Sequence, residues 1–385
     1  MNNELSLYVH IPFCVRKCLY CDFLSFGDKE SLMDEYFKAL SKELKESAGD
    51  YRDREVKTVF FGGGTPSLPN AVYICNILAD IKENYILSKD AEISLELNPG
   101  TASFDKMRSY RDAGFNRLSI GIQSFNDEEL KRLGRIHDSK TAVRTYEDAV
   151  RAGFDNINID IMSALPGQSM ESYTDTLNKA VKLGPEHISA YSLIIEEGTP
   201  FFDMDLDLPG EDADRDMYHK TAKILNEYGY HRYEISNYAK DGFDCRHNKV
   251  YWKRGNYLGL GLGAASLVDN VRFSNTRDMA EYISLSKDRI KRDREELSVR
   301  AQTEEFMFLG LRLTEGIRTD DFKREFGKTV FDVYDEVIDK YLMMSLLELR
   351  DKDMNITCDK KKAAYLRLSE RGFDVCNTVM ADFLL

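Results

Sequence analysis

The chain has 385 residues, a net charge of −13, 43% hydrophobic residues and 31% charged residues. That length suits about two or three domains, the composition is that of a globular protein, and the acidic balance argues against nucleic acid or an anionic membrane held by bulk electrostatics. No run approaches transmembrane length, and Met1-Asn2-Asn3-Glu4 lacks the basic and apolar regions of a secretory signal, so a cytoplasmic protein is expected.

An apolar, β-branched run opens the chain at Leu5–Ile11. Five more follow at Thr58–Phe61, Glu92–Leu97, Arg117–Ile122, Asn156–Met162 and His187–Ile195. Between them lie segments of helical periodicity: Ser31–Lys45, Ala71–Glu83, Ser103–Ala113, Asp127–Leu133, Ser139–Ala152 and Met170–Leu183. This alternation predicts βα units around a parallel sheet. Gly114, Gly153 and Gly184 stand just past three helices, where a left-handed C-cap is expected. Six units suit an incomplete (β/α)6 barrel or a doubly wound sheet, and counting does not separate the two. Asp278–Val299, with its charged run Lys287–Arg294, predicts a solvated linker helix. From Thr303 a new pattern begins, which predicts a small module with a last helix to Phe383.

The loop after the first run carries Cys14, Cys18 and Cys21 in the spacing C-x3-C-x2-C. A disulfide leaves one of the three over. Thiolates are the usual ligands of iron–sulfur clusters, and three of them leave one iron of a cubane open to bind something else. The alternative is structural zinc, which wants four closed ligands, with His10 or Asp22 completing the set. Cys75, Cys245, Cys358 and Cys376 are scattered, as a reducing compartment permits, and read as buried or idle thiols.

In barrels, chemistry gathers at the C-terminal ends of the strands. There this chain has Gly62-Gly63-Gly64-Thr65-Pro66, Glu96-Leu97-Asn98-Pro99, Gly121-Ile122-Gln123-Ser124 and Asp160. The glycines either let the backbone approach a ligand or make a tight turn. Glu96, in an otherwise apolar run, is costly unless paired; an internal salt bridge is the other reading. Cys245-Arg246-His247-Asn248-Lys249-Val250-Tyr251-Trp252 includes the only tryptophan. It suits a flat aromatic ligand or a metal, or else a packed corner with His247 bonded to backbone. Gly259-Leu260-Gly261-Leu262-Gly263 lacks the context of a dinucleotide loop and reads as barrel-end backbone near the cofactor.

The string Tyr8–Phe23, with Tyr20 just before the third cysteine, resembles the radical S-adenosylmethionine (SAM) superfamily. Within it, the string is similar to the branch that holds the oxygen-independent coproporphyrinogen III oxidases and the related HemW haem chaperones. The resemblance covers nearly the whole chain. It implies an α/β fold: an incomplete (β/α)6 TIM-like radical SAM barrel with a small, mainly helical C-terminal domain. The implied division is 1–235 for the barrel, 236–300 for an extension and linker, and 301–385 for the C-terminal domain. A [4Fe–4S] cluster on Cys14, Cys18 and Cys21 is implied, with SAM on its open iron. The implied SAM contacts are Tyr8, Tyr20, Gly63, Gly64, Thr65, Glu96, Gln123, Arg135 and Asp160. The glycine element matches one that meets the SAM amino group, and Glu96 one that holds the ribose hydroxyls. Gln123, Arg135 and Asp160 match positions lining the SAM site, or a second SAM site in the oxidase branch. Taken alone, Tyr8 reads as a core strand residue and Arg135 as a solvated helix-end charge.

H-N-x-x-Y-W looks like the mark of the HemW branch and makes His247, Asn248, Tyr251 and Trp252 the haem-contact candidates. The oxidase branch usually carries a fourth cysteine where this chain has Phe23, and a longer arm before Cys14. Both departures point away from the oxidase. Ala265 replaces a histidine common in HemW relatives, which weakens any role for the glycine loop in haem ligation. The expected function is a haem chaperone that binds haem or a porphyrin and delivers it to haem-accepting respiratory proteins. It is expected in the cytoplasm or peripherally at the membrane, as monomer or dimer, without nucleic acid. The alternative is an enzyme that decarboxylates coproporphyrinogen III oxidatively to protoporphyrinogen IX using SAM.

Overall fold

A computed structural model describes residues 3–385; Met1 and Asn2, where the stretch read for a signal begins, lie outside the described residues. The expected strands form as β1 (Glu4–Ile11), β2 (Glu55–Gly63), β3 (Ile86–Leu97), β4 (Arg117–Gln123), β5 (Ile157–Ser163) and β6 (His187–Ser192). They are joined by α1 (Met33–Ala48), α2 (Ala71–Asn84), α3 (Phe104–Ala113), α4 (Asp127–Arg132), α5 (Ser139–Arg151) and α6 (Met170–Leu183). The six strands pair in parallel and in chain order, as an incomplete barrel requires. Helix starts are capped by Asn70, Ser103, Asn126, Asp138 and Ser169, each accepting a backbone N–H of the first turn. Gly114, Gly153 and Gly184 take φ of +107°, +95° and +79°, as the C-cap pattern requires.

The strands alternate with period two. Leu7, Val9, Val59, Phe61, Leu95, Leu118, Ile120, Ile159 and Ile161 face the helices and are fully buried in the main core, each contributing about 1.5–3 kcal/mol. The alternate positions Phe60, Glu96, Arg117, Ser119, Asn158, Asp160 and Ser189 face a lumen. Strands of a parallel sheet buried on both faces are usually apolar throughout. The polar lumen therefore marks where this barrel holds something.

The sheet grows at both edges. After α7 (Glu211–Glu227), β7 (His231–Arg232) and β8 (Asn237–Ala239) add antiparallel beside β6. Next come α8 (Arg246–Trp252), β9 (Tyr257–Leu260), β10 (Ala265–Val268) and β11 (Val271–Asn275), with β9 pairing parallel to β1. Residues 278–299 correct the linker-helix expectation. They form α9 (Met279–Ser284), α10 (Lys287–Ile290) and an edge strand, β12 (Lys291–Glu296), paired antiparallel with β11. The charged run is an edge-strand feature: charge on an outermost strand discourages pairing with another chain.

The C-terminal module comprises α11 (Val299–Gly310), β13 (Ile317–Arg318), α12 (Thr319–Phe326), α13 (Val330–Met343), β14 (Leu347–Arg350), β15 (Tyr365–Leu368), α14 (Glu370–Asp374) and α15 (Cys376–Ala381). Its helices surround a three-stranded sheet and a separate core that includes Met307, Phe322, Ile338 and Leu366. The barrel side meets it through Arg254, which is 3% exposed and pairs with Glu305 at 3.1 Å and Glu325 at 3.0 Å. Removing Glu305 leaves the buried Arg254 only the more exposed Glu325, and an under-compensated buried charge is destabilising. Glu305→Leu is expected to cost about 3 kcal/mol in chemical denaturation. Lys253→Ala, which removes an exposed pair with Glu315, is expected to cost less than about 1 kcal/mol.

Candidate functional site

β1 delivers the cysteine loop, and three elements pin it. Cys14 donates its N–H to Phe26 O at 2.9 Å, and Leu19 donates to Leu133 O at 3.1 Å. Arg16 reaches Gly134 O at 2.7 Å. His10 braces the loop from the strand. Its Nε2 lies 2.8 Å from Leu24 O, which only accepts, so Nε2 carries the proton and Nδ1 accepts from Tyr8 Oη at 3.0 Å. Burial lowers the His10 pKa, which favours this neutral form. With both nitrogens engaged, His10 is not placed to complete a zinc site.

A hydrogen-bonded relay links two of the cysteines. Asn98 Nδ2 donates to Thr65 Oγ1 at 2.8 Å, which leaves the Thr65 proton for Cys14 Sγ at 3.5 Å. Arg135 Nη2 donates to Asn98 Oδ1 at 2.7 Å and to Gly121 O at 2.5 Å, while Nη1 donates to Cys18 Sγ at 3.5 Å. Both sulfurs thus receive hydrogen bonds, as a thiolate ligand does. Burial pushes the Cys21 thiol up to about 11, so a metal centre would be needed to hold it as a thiolate. Gly64 gives the loop its room: a Cβ there would lie 2.8 Å from Phe13 O and 3.0 Å from Cys14 Sγ.

Behind the loop the lumen opens into a cavity of about 520 Å³. Cys14, Cys18, Cys21, Tyr20, Gly63, Gly64, Thr65, Glu96, Gln123, Arg135 and Asp160 all line it. Tyr8 does not; it stands beneath Gly62, whose Cβ would meet its ring at 3.0 Å. Gly63, at φ +115°, turns its N–H onto Glu96 Oε2 at 3.1 Å. Burial raises the Glu96 pKa to about 8, the Asp160 charge adds to this, and the Gly63 N–H and Arg117 oppose it. Asp160 is also raised by burial, with Asn158 Nδ2 donating to it at 2.6 Å. Gln123 ends β4 at φ +71°, a strained conformation for a non-glycine residue, and accepts from Tyr191 Oη at 3.1 Å. Asn98, Arg117 and Tyr191 are site residues that sequence reasoning missed. Asn98 was legible as the polar end of β3; nothing distinguished the other two from ordinary strand residues.

The His247 segment is α8, lying across the lower end of the lumen. The Glu92 carboxylate accepts the Arg246 and His247 N–H groups at 2.9 and 3.0 Å. His247 is 1% exposed, its ring stacked on Phe60 and its nitrogens 2.7 Å from Thr58 Oγ1 and 2.9 Å from Tyr251 Oη. Burial pushes its pKa down to about 3. Trp252 faces the C-terminal module, with the Arg312 guanidinium 5.2 Å from its ring centroid. Of the four residues only Asn248 lines the cavity.

Sulfur donors on one loop, two of them receiving hydrogen bonds, over a polar cavity, suit a cluster whose ligands stand at separate corners. Fold and site together define a radical SAM protein. The family model described as "Radical SAM superfamily" matches residues 8–180, and the "HemN C-terminal domain" model matches 297–359. A protein of Lactococcus lactis named "Heme chaperone HemW" is 34% identical over 99% of this chain and 97% of its own. Proteins of the same name from Bacillus subtilis and Escherichia coli are 36% identical over 86% of this chain and 90% of theirs, and 45% identical over 68% and 69%. The chain belongs to the HemW family of the radical SAM superfamily. The solved coproporphyrinogen III oxidase (HemN) of Escherichia coli shares the fold, with a TM-score of 0.85, 99% of this chain and 90% of that chain covered, and 23% identity.

A cluster held by Cys14, Cys18 and Cys21 would supply an electron for reductive chemistry on SAM. Cys14→Ala, Cys18→Ala and Cys21→Ala are each expected to lose the cluster's visible absorbance. Thr65→Val should keep iron and lower the reduction potential, since a hydrogen bond to sulfur favours the reduced form; electrochemistry reads the shift. The resemblance implies that Glu96 takes the ribose hydroxyls of SAM, a role it would fill best as a carboxylate. SAM affinity should therefore fall as pH drops below about 8, by at most about tenfold per pH unit, and Glu96→Gln should remove that component in calorimetry.

Proposed function

We propose that this protein is a haem chaperone: it binds haem and passes it to haem-accepting respiratory proteins, retaining a [4Fe–4S] cluster and a SAM site. The observation that carries the reading is Phe23. It stands where the oxidase branch usually has a fourth cysteine, at the cavity mouth and 65% exposed. An aromatic face held open to water suits a flat apolar ligand. Arg16 and Lys17 line the same mouth and suit propionates.

The proposed haem contacts are His247, Asn248, Tyr251 and Trp252. Asn248 is the member that meets the cavity. His247 is held neutral, the form that ligates iron, and release from Thr58 and Tyr251 would free a nitrogen for it. The proposed SAM contacts are the cavity residues above. No helix among the described residues is long and apolar enough to cross a membrane; delivery to respiratory acceptors fits a cytoplasmic protein that docks peripherally.

Anaerobically reconstituted protein, split between haem titration and a coproporphyrinogen turnover assay, tests this reading. Tight haem binding without decarboxylation is expected; turnover without haem binding would favour the oxidase. His247→Ala should weaken haem binding at least about tenfold, equivalent to about 1.4 kcal/mol, with cluster absorbance intact. Unchanged affinity would remove His247 from the haem site.

A further inference from the structure

Arg117 is the largest fully buried side chain of the barrel, 2% exposed, and its Nε has no hydrogen-bond partner. It lines the cavity, and among the described residues no side chain bonds that Nε. The nearby carboxylates are engaged elsewhere. Glu92 takes two N–H groups of α8 and the Cys245 thiol, Asp160 takes Asn158, and Glu96 takes the Gly63 N–H. The charges of Glu92 and Asp160 nearby offset part of the burial cost and raise the Arg117 pKa, yet an unbonded N–H in a low-dielectric wall still costs unless a ligand meets it. The surrounding lining is small and polar: Ser119, Asn158, Ser189, Asn237 and Asn248. The Asn237 Oδ1 is likewise buried without a partner.

We propose that the deep end of the lumen is an anion subsite, in which Arg117 takes a carboxylate group of a ligand that reaches below the Glu96–Asp160 level. The guanidinium fork fits a carboxylate in two parallel bonds, and the amide and hydroxyl groups around it supply further partners. The carboxylate is either a porphyrin propionate or that of a small free acid. The first source rests on the haem reading; the second does not.

The test compares reconstituted wild type, Arg117→Met and Arg117→Lys with three probes: haemin, haemin dimethyl ester and succinate. Cluster absorbance reports that each variant is folded. A buried charge held only for a ligand is dispensable to the fold, so Tm of Arg117→Met should be unchanged or higher. If a propionate enters, haemin affinity falls tenfold or more in Arg117→Met, recovers partly in Arg117→Lys, and the ester binds all three equally. If a free acid enters, succinate raises the wild-type Tm and does not raise that of Arg117→Met. Failure of haemin to bind wild type would count against the haem reading alone, and succinate would then decide. The subsite is overturned if no probe distinguishes Arg117→Met from wild type, or if that variant loses Tm by several degrees with every probe affinity unchanged; Arg117 would then only balance Glu92 and Asp160.

Discussion

The site depends on how two sulfurs are held. Cys14 and Cys18 lie on one short loop, and the relay Thr65–Asn98–Arg135 joins them through residues after β2, after β3 and after α4. Each link is an ordinary hydrogen bond, modest by itself. Together they tie the loop's shape to the spacing of three barrel elements. Donors directed at sulfur also tune what a cluster can do, because hydrogen bonds to sulfur shift its potential.

The barrel behind the relay explains why the chain tolerates buried polarity. Alternation along each strand sends aliphatic side chains outward under helices and polar ones into the lumen. The polar side then carries strained and costly groups: Gln123 at positive φ, Glu96 with its pKa pushed up by burial, and Arg117 with its Nε unbonded. Such groups persist where surrounding packing over-determines them and where a ligand repays the cost. α8 closes the lower end, held by the Glu92 carboxylate at its first turn.

Much of this was legible in the residues. The six βα units follow from periodicity, and Met170–Leu183 forms a helix with the expected bounds. The thiol spacing and the strand-end glycines pointed to the mouth of the barrel. What was not legible depends on three-dimensional partners. The run at 287–294 has the charge of a solvated helix, yet its second half, from Lys291, forms an edge strand because β11 offers a pairing partner. Asn98 becomes the centre of the relay only when Thr65 and Arg135, 33 and 37 residues away in sequence, converge on it. Likewise, the packed-corner reading of His247 expects a backbone partner, whereas Thr58, 189 residues earlier, and Tyr251 meet its ring with side-chain hydroxyls.

The account stands on three sulfur donors leaving one iron without a protein ligand. Mössbauer spectroscopy of protein reconstituted with 57Fe tests this most directly. A four-iron cluster in which a single iron changes its isomer shift when SAM is added is the predicted result. A spectrum with no four-iron cluster, or one in which every iron is indifferent to SAM, would contradict it.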